Sequence, residues 1–118
     1  MLIVNPYSGK GLSNNALGTI ISSFCDEGYA VTVYTTRSDT PESVAAGCGS
    51  DYELVVCVGG DGTLSGVASG LMRAPSPPPF GYIPAGTTND IAATLALSKD
   101  IKTAVNSVIH GHPVPLDI

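Results

Sequence analysis

The chain is expected to adopt an α/β fold: a Rossmann-like three-layer α/β/α domain with a mainly parallel sheet. Two observations carry that expectation. Short β-branched runs at Leu2–Val4 and at residues 30–35, 54–58 and 81–83 alternate with stretches of helical periodicity. That order is the one βαβ units with right-handed crossovers produce. The third run, Leu54-Val55-Val56-Cys57-Val58, is apolar throughout with no polar alternation, as a strand buried on both faces of a parallel sheet requires.

Taken in order, Leu2-Ile3-Val4 runs into Asn5-Pro6 and reads as a short buried strand, with a loop over residues 6–11. From Asn14 or Asn15, the side chains Leu17, Ile20, Ile21 and Phe24 recur at the spacing of one helical face. Gly28 closes that helix as the residue just past its end. Residues 30–35 are β-formers throughout and make the second strand. Thr40-Pro41-Glu42-Ser43 opens a short helix, with a cap and a proline at its first position, that runs to Cys48. After the strand at 54–58 a helix is expected from Thr63 to Arg73, then a Pro-rich loop over 74–79. A brief fourth strand at 81–83 ends at Pro84. Helices are expected over residues 90–95 and Ile101–His110, with Ser98 capping the second, and a final strand over 114–118. No internal repeat is present.

The composition narrows the partners. A length of 118 residues fits one domain, and 43% hydrophobic residues suffice for a core. The net charge of −5 and the absence of a Lys/Arg cluster argue against nucleic acid. A phosphate site on such a chain must rely on backbone amides, a metal ion and a single lysine. Cys25, Cys48 and Cys57 form no CxxC pair, so reduced thiols are expected, with Cys57 a small buried hydrophobe. The longest apolar run, residues 54–58, is too short to span a bilayer, and no leader pattern opens the sequence. A cytoplasmic location is the expectation.

In parallel sheets ligands bind beyond the carboxyl ends of the strands. Three polar, glycine-rich loops fall there: residues 5–11, 59–63 and 84–90. In Gly59-Gly60-Asp61-Gly62-Thr63 the glycines permit positive φ and close approach of backbone to a ligand. Amides opening the next helix favour an anion. Asp61 can accept a proton, orient a water or hold Mg²⁺. A tight strand-to-helix turn capped by Asp or Thr accounts for the same pentapeptide. The dinucleotide fingerprint GxGxxG is absent from this corner and the Walker A pattern from the whole chain.

Asn5-Pro6-Tyr7-Ser8-Gly9, Gly59-Gly60-Asp61-Gly62-Thr63 and Pro84-Ala85-Gly86-Thr87-Thr88-Asn89-Asp90 stand in order and at suitable spacing. With these three motifs the chain resembles the catalytic domain of diacylglycerol kinases and related lipid kinases, and more distantly NAD kinases. The resemblance covers residues 1–118 as one nucleotide-binding domain. It implies transfer of the γ-phosphoryl of ATP, with Mg²⁺, to the hydroxyl of diacylglycerol or a related lipid. By resemblance Asn5, Ser8, Gly59, Gly60, Gly62, Thr63, Gly86, Thr87, Asn89 and Asp90 line the nucleotide site. Asp61, Lys10 and Asp117 belong to a catalytic polar network. Lys10 also reads as an exposed loop lysine, and Asp90 as a cap for the following helix.

Two departures bear on activity. Family members commonly follow the second motif with Asn-Glu and a later Asn-Gly, where this chain has Ser65-Gly66 and Ser69-Gly70. The family's β-rich second domain, with its lipid pocket, is expected beyond this segment; it admits peripheral membrane contact, and the face left uncovered without it would favour a homo-oligomer. The readings left beside the lipid kinase are an NAD-kinase-like phosphotransferase and a non-catalytic nucleotide-binding or regulatory module. His110-Gly111-His112 is expected to be a helix end and loop rather than a metal pair. Residues 75–79 are expected to be a stiff surface loop rather than a docking peptide.

Overall fold

The computed structural model describes residues 1–5, 14–36, 41–48, 51–84 and 101–111. Among these, the strands β1 (Leu2–Val4), β2 (Val33–Thr35), β3 (Val55–Gly59) and β4 (Phe80–Pro84) form one sheet in the order β2-β1-β3-β4. Every neighbouring pair is parallel. The helices are α1 (Asn14–Asp26), α2 (Pro41–Cys48), α3 (Asp61–Met72) and α4 (Ile101–His110).

Alternation along the strands divides the core into two layers. Ile3, Val55, Cys57 and Tyr82 pack on one face against Val44 and Ala45 of α2 and Leu64, Val67 and Leu71 of α3. Leu2, Val4, Val56, Val58 and Ile83 pack on the other against Ile20 and Phe24 of α1 and Ala104 and Val105 of α4. The expected α/β/α layering follows directly: every residue of β1 and β3 is buried, so neither strand has a polar face to offer water. Burial leaves Cys57 as a packing residue and pushes its thiol well above the ordinary range.

The helices end and approach by local rules. Gly28 has φ +90°, and the amides of Gly28 and Tyr29 donate to the carbonyls of Cys25 (3.0 Å) and Phe24 (3.1 Å). This is the paired-bond stop that a left-handed glycine allows, completed by the edge-to-face contact of Phe24 and Tyr29 at 5.5 Å. Helices α2 and α3 meet along glycine. A methyl group on Gly70 would strike the Glu42 carbonyl and lie 2.8 Å from Ala45 Cβ. On β4, a methyl on Gly81 would come within 2.7 Å of Val108 of α4.

Three element bounds differ from expectation. Strand β2 covers only Val33–Thr35 of the expected 30–35, because its partner β1 offers three residues, Leu2↔Val33 to Val4↔Thr35. β-Propensity without a pairing partner does not make a strand. Helix α3 begins at Asp61, two residues before Thr63, so the acidic residue lies inside the first turn. Strand β4 extends from the expected 81–83 to Phe80–Pro84, since β3 continues to pair as far as Gly59↔Pro84; proline is tolerated at a strand end, where it owes no ladder bond. The loop over 6–11, the helix expected over 90–95, its neighbour's cap Ser98 and the strand expected over 114–118 lie outside the described residues.

Candidate functional site

The order β2-β1-β3-β4 reverses the direction of chain progression between β1 and β3. At such a switch point the loops leaving two adjacent strands diverge and open a crevice at the carboxyl ends. Here those loops begin at Asn5 and Gly60. The Asn5 amide donates to Val58 O at 3.1 Å, so the two chains are still tied together where they part.

The corner itself is compact. Gly60 is the residue flanking the start of α3, in extended conformation (φ −95°, ψ −171°), and no side chain caps it. The first intrahelical bond runs from Leu64 N to Gly60 O, 3.1 Å. The amides of Gly62 and Thr63 therefore precede the helical ladder, at the end where the helix dipole favours an anion. Asp61 is half-buried, Gly62 exposed and Thr63 buried. The Asn5 side-chain amide donates to Thr63 Oγ1 across a long 3.5 Å, joining the first loop to the first turn of α3.

Two expectations about this corner change. Neither Asp61 nor Thr63 caps the helix; both sit in its first turn. Among the described residues only Gly28 has positive φ, so the corner's glycines are not there for left-handed backbone. Gly62 has no packing reason either, because a methyl group built on it meets nothing within 4 Å among the described residues. A helical glycine costs about 1 kcal/mol relative to alanine. Gly62 thus forgoes helix propensity with no packing contact among the described residues to account for it, and its missing side chain leaves the helix N-terminus uncovered by those residues.

The sequence reading missed Tyr82. Its ring is buried on β4 at 7% exposure, and its hydroxyl donates to Gly59 O at 3.1 Å. Burial, then the Asp61 charge, then the Cys57 thiolate charge and a hydrogen bond with the Asp61 side chain hold the phenol well above its ordinary range. The available signal was a tyrosine among aliphatics two residues before Pro84; a buried phenol needs a partner for its hydroxyl.

Of the sequence-derived site residues, Asn5, Gly59, Gly60, Asp61, Gly62 and Thr63 converge on this corner. Ser8, Lys10, Gly86, Thr87, Asn89, Asp90 and Asp117 lie outside the described residues. Gly66, where the resemblance leads to the expectation of an acidic residue, is turned to α2: a methyl there would lie 3.1 Å from Pro41 Cβ. His110 ends α4 with Nε2 4.0 Å from Glu27 Oε1, and His112 lies outside the described residues. Among the described residues no three His, Cys, Asp or Glu side chains group as a metal site, and no helix is long and apolar enough to cross a membrane.

Comparison with known proteins agrees with this geometry. The family profile of the diacylglycerol kinase catalytic domain matches residues 1–118. A diacylglycerol kinase of Staphylococcus carnosus (strain TM300) is 39% identical over 120 residues, 99% of this chain and 39% of that protein. One of Staphylococcus epidermidis (strain RP62A) is 36% identical, over 99% of this chain and 38% of that protein. A crystal structure of a diacylglycerol kinase from Bacillus anthracis str. Sterne superposes with a TM-score of 0.79 at 28% identity, over 94% of this chain and 41% of that one. The chain thus spans about two fifths of the length of the curated relatives it matches.

Proposed function

The chain belongs to the diacylglycerol kinase catalytic domain family, and on that premise we propose that it is the nucleotide-binding unit of a lipid kinase. The reaction is transfer of the γ-phosphoryl of ATP to the hydroxyl of diacylglycerol or a related lipid. The observation that carries this reading is Gly62, a glycine that neither its backbone nor any packing contact among the described residues requires, at a helix N-terminus in the switch-point crevice.

Phosphoryl transfer depends on positioning and charge neutralisation more than on covalent chemistry by the protein. In this reading the amides of Gly62 and Thr63 receive phosphate oxygens, and Asn5 holds the neighbouring loop against Thr63. Asp61 orients a water or the incoming hydroxyl beside them. Lys10, Ser8, Gly86, Thr87, Asn89, Asp90 and Asp117 complete the site from the flanking segments. The donor set would suit Mg²⁺ carried on the nucleotide phosphates, with Asp61 the residue that would help hold it, because Mg²⁺ commonly keeps several waters and needs no protein cage. Bound there, the ion would neutralise charge on the phosphates. Selection of the lipid, and any membrane contact, fall to the part of the relatives' length that lies beyond this chain.

The test is a radiolabelled ATP assay on the complete gene product, offered diacylglycerol and NAD in parallel. Label in the lipid fraction is the expected result. Label in NAD alone, or in neither, contradicts the reading.

A further inference from the structure

We propose that Tyr82 is a positioning residue for Asp61, its hydroxyl pinning the backbone at Gly59, two residues before Asp61, and with it the open end of α3. The inference rests on the kinase reading above for its consequence, but its geometry stands apart from it. Tyr82 sits opposite Cys57 in the β3–β4 register, and its ring lies in the layer between the sheet and helices α2 and α3. From there the hydroxyl donates to the carbonyl of Gly59, the last residue of β3, at 3.1 Å. Gly59 is two residues before Asp61, whose charge is near enough to help hold the proton on the phenol.

A phenol carries one proton and two lone pairs. The single Tyr82 proton goes to Gly59 O, so the bond ties the backbone of the corner to β4 just before Asp61. Asp61 occupies the first position of α3, preceded by Gly60, which has no side chain of its own to restrain its neighbour. A rigid, buried ring on the adjacent strand supplies that restraint. It is a better anchor than a surface side chain because the core fixes its position, and its hydroxyl meets the backbone of the corner in a buried bond. The hydroxyl touches no reacting atom in this scheme; it acts through Asp61.

The experiment compares Tyr82→Phe with the parent in the complete gene product, using Val67→Ala as a stability control from the same buried layer. Phenylalanine fills the same space, so the variant folds. The expected result is a loss of about tenfold in kcat, with KM for MgATP held within about twofold and Val67→Ala at the parental kcat. In thermal unfolding, Tyr82→Phe and Asp61→Ala each lower Tm, and the double variant falls by less than the sum of the two. An unchanged kcat in Tyr82→Phe with an active parent overturns the inference, as do additive Tm losses. A parent that phosphorylates no lipid overturns the kinase reading instead, and the thermal cycle then decides by itself whether Tyr82 holds Asp61.

Discussion

Asn5 Nδ2 and Thr63 Oγ1 lie 3.5 Å apart across the point where β1 and β3 send their chains in opposite directions. The bond spans 58 residues of sequence and joins the residue that follows β1 to the first turn of α3. Thr63 is itself buried, so removing its hydroxyl strips Asn5 of a partner without exposing new surface. Thr63→Val is expected to lower Tm modestly, by the equivalent of about 1 kcal/mol, and to weaken nucleotide binding. Calorimetric unfolding and nucleotide titration on the same sample check both.

The contact of α2 with α3 makes a sharper structural forecast. Gly70→Ala drives a methyl into Glu42 O and Ala45, and is expected to cost about 1–3 kcal/mol, as overpacked sites do. Gly66→Ala meets Pro41 at 3.1 Å, a contact a small shift relieves, while gaining about 1 kcal/mol of helix propensity. It is therefore expected near neutral. Denaturant midpoints with unchanged slopes are the measurement, and equal costs at the two sites would contradict the close approach at Gly70.

Gly28 is held at φ +90° with nothing packed over it among the described residues. Gly28→Ala is expected to destabilise by about 1 kcal/mol through backbone strain alone. Asn at the same position, which tolerates the left-handed region better, should recover part of the loss in a thermal melt.

Tyr82 sets an alkaline limit. Its phenol is held above the ordinary range in the folded chain, so above about pH 10 the unfolded chain has released a proton that the folded chain still binds. Stability is complete below that pH and falls as pH rises through it. Denaturant unfolding from pH 9 to 11 is expected to show a steeper decline for the parent than for Tyr82→Phe. Parallel slopes would mean that the phenol ionises freely.

The layers of this fold were legible because burial on both faces leaves a direct mark: the unbroken run ending at Val58 can only be an inner parallel strand. The length of β2 was not, since residues 30–32 carry β-propensity but β1 gives them nothing to pair with. The start of α3 was misjudged because Gly60 ends β3's corner without a side-chain cap, so the usual polar signal before a helix is missing. The motif glycines could be found by pattern, yet their purpose could not. Gly62 and Gly70 look alike in sequence; one faces open space and the other a helix backbone. Tyr82 escaped notice because its partner, Gly59 O, lies on the neighbouring strand and comes within reach only through the parallel register.

That contrast gives the most direct test of the phosphate corner. Calorimetric titration of MgATP into the complete gene product, parent beside Gly62→Ala, isolates the open space above α3 from any fold defect, because alanine there meets nothing within 4 Å among the described residues. The expected result is an unchanged or slightly raised Tm with affinity reduced by about tenfold or more, roughly the 1.4 kcal/mol that such a factor represents. Parental affinity in Gly62→Ala, at parental stability, would contradict the assignment of this corner to the nucleotide phosphates.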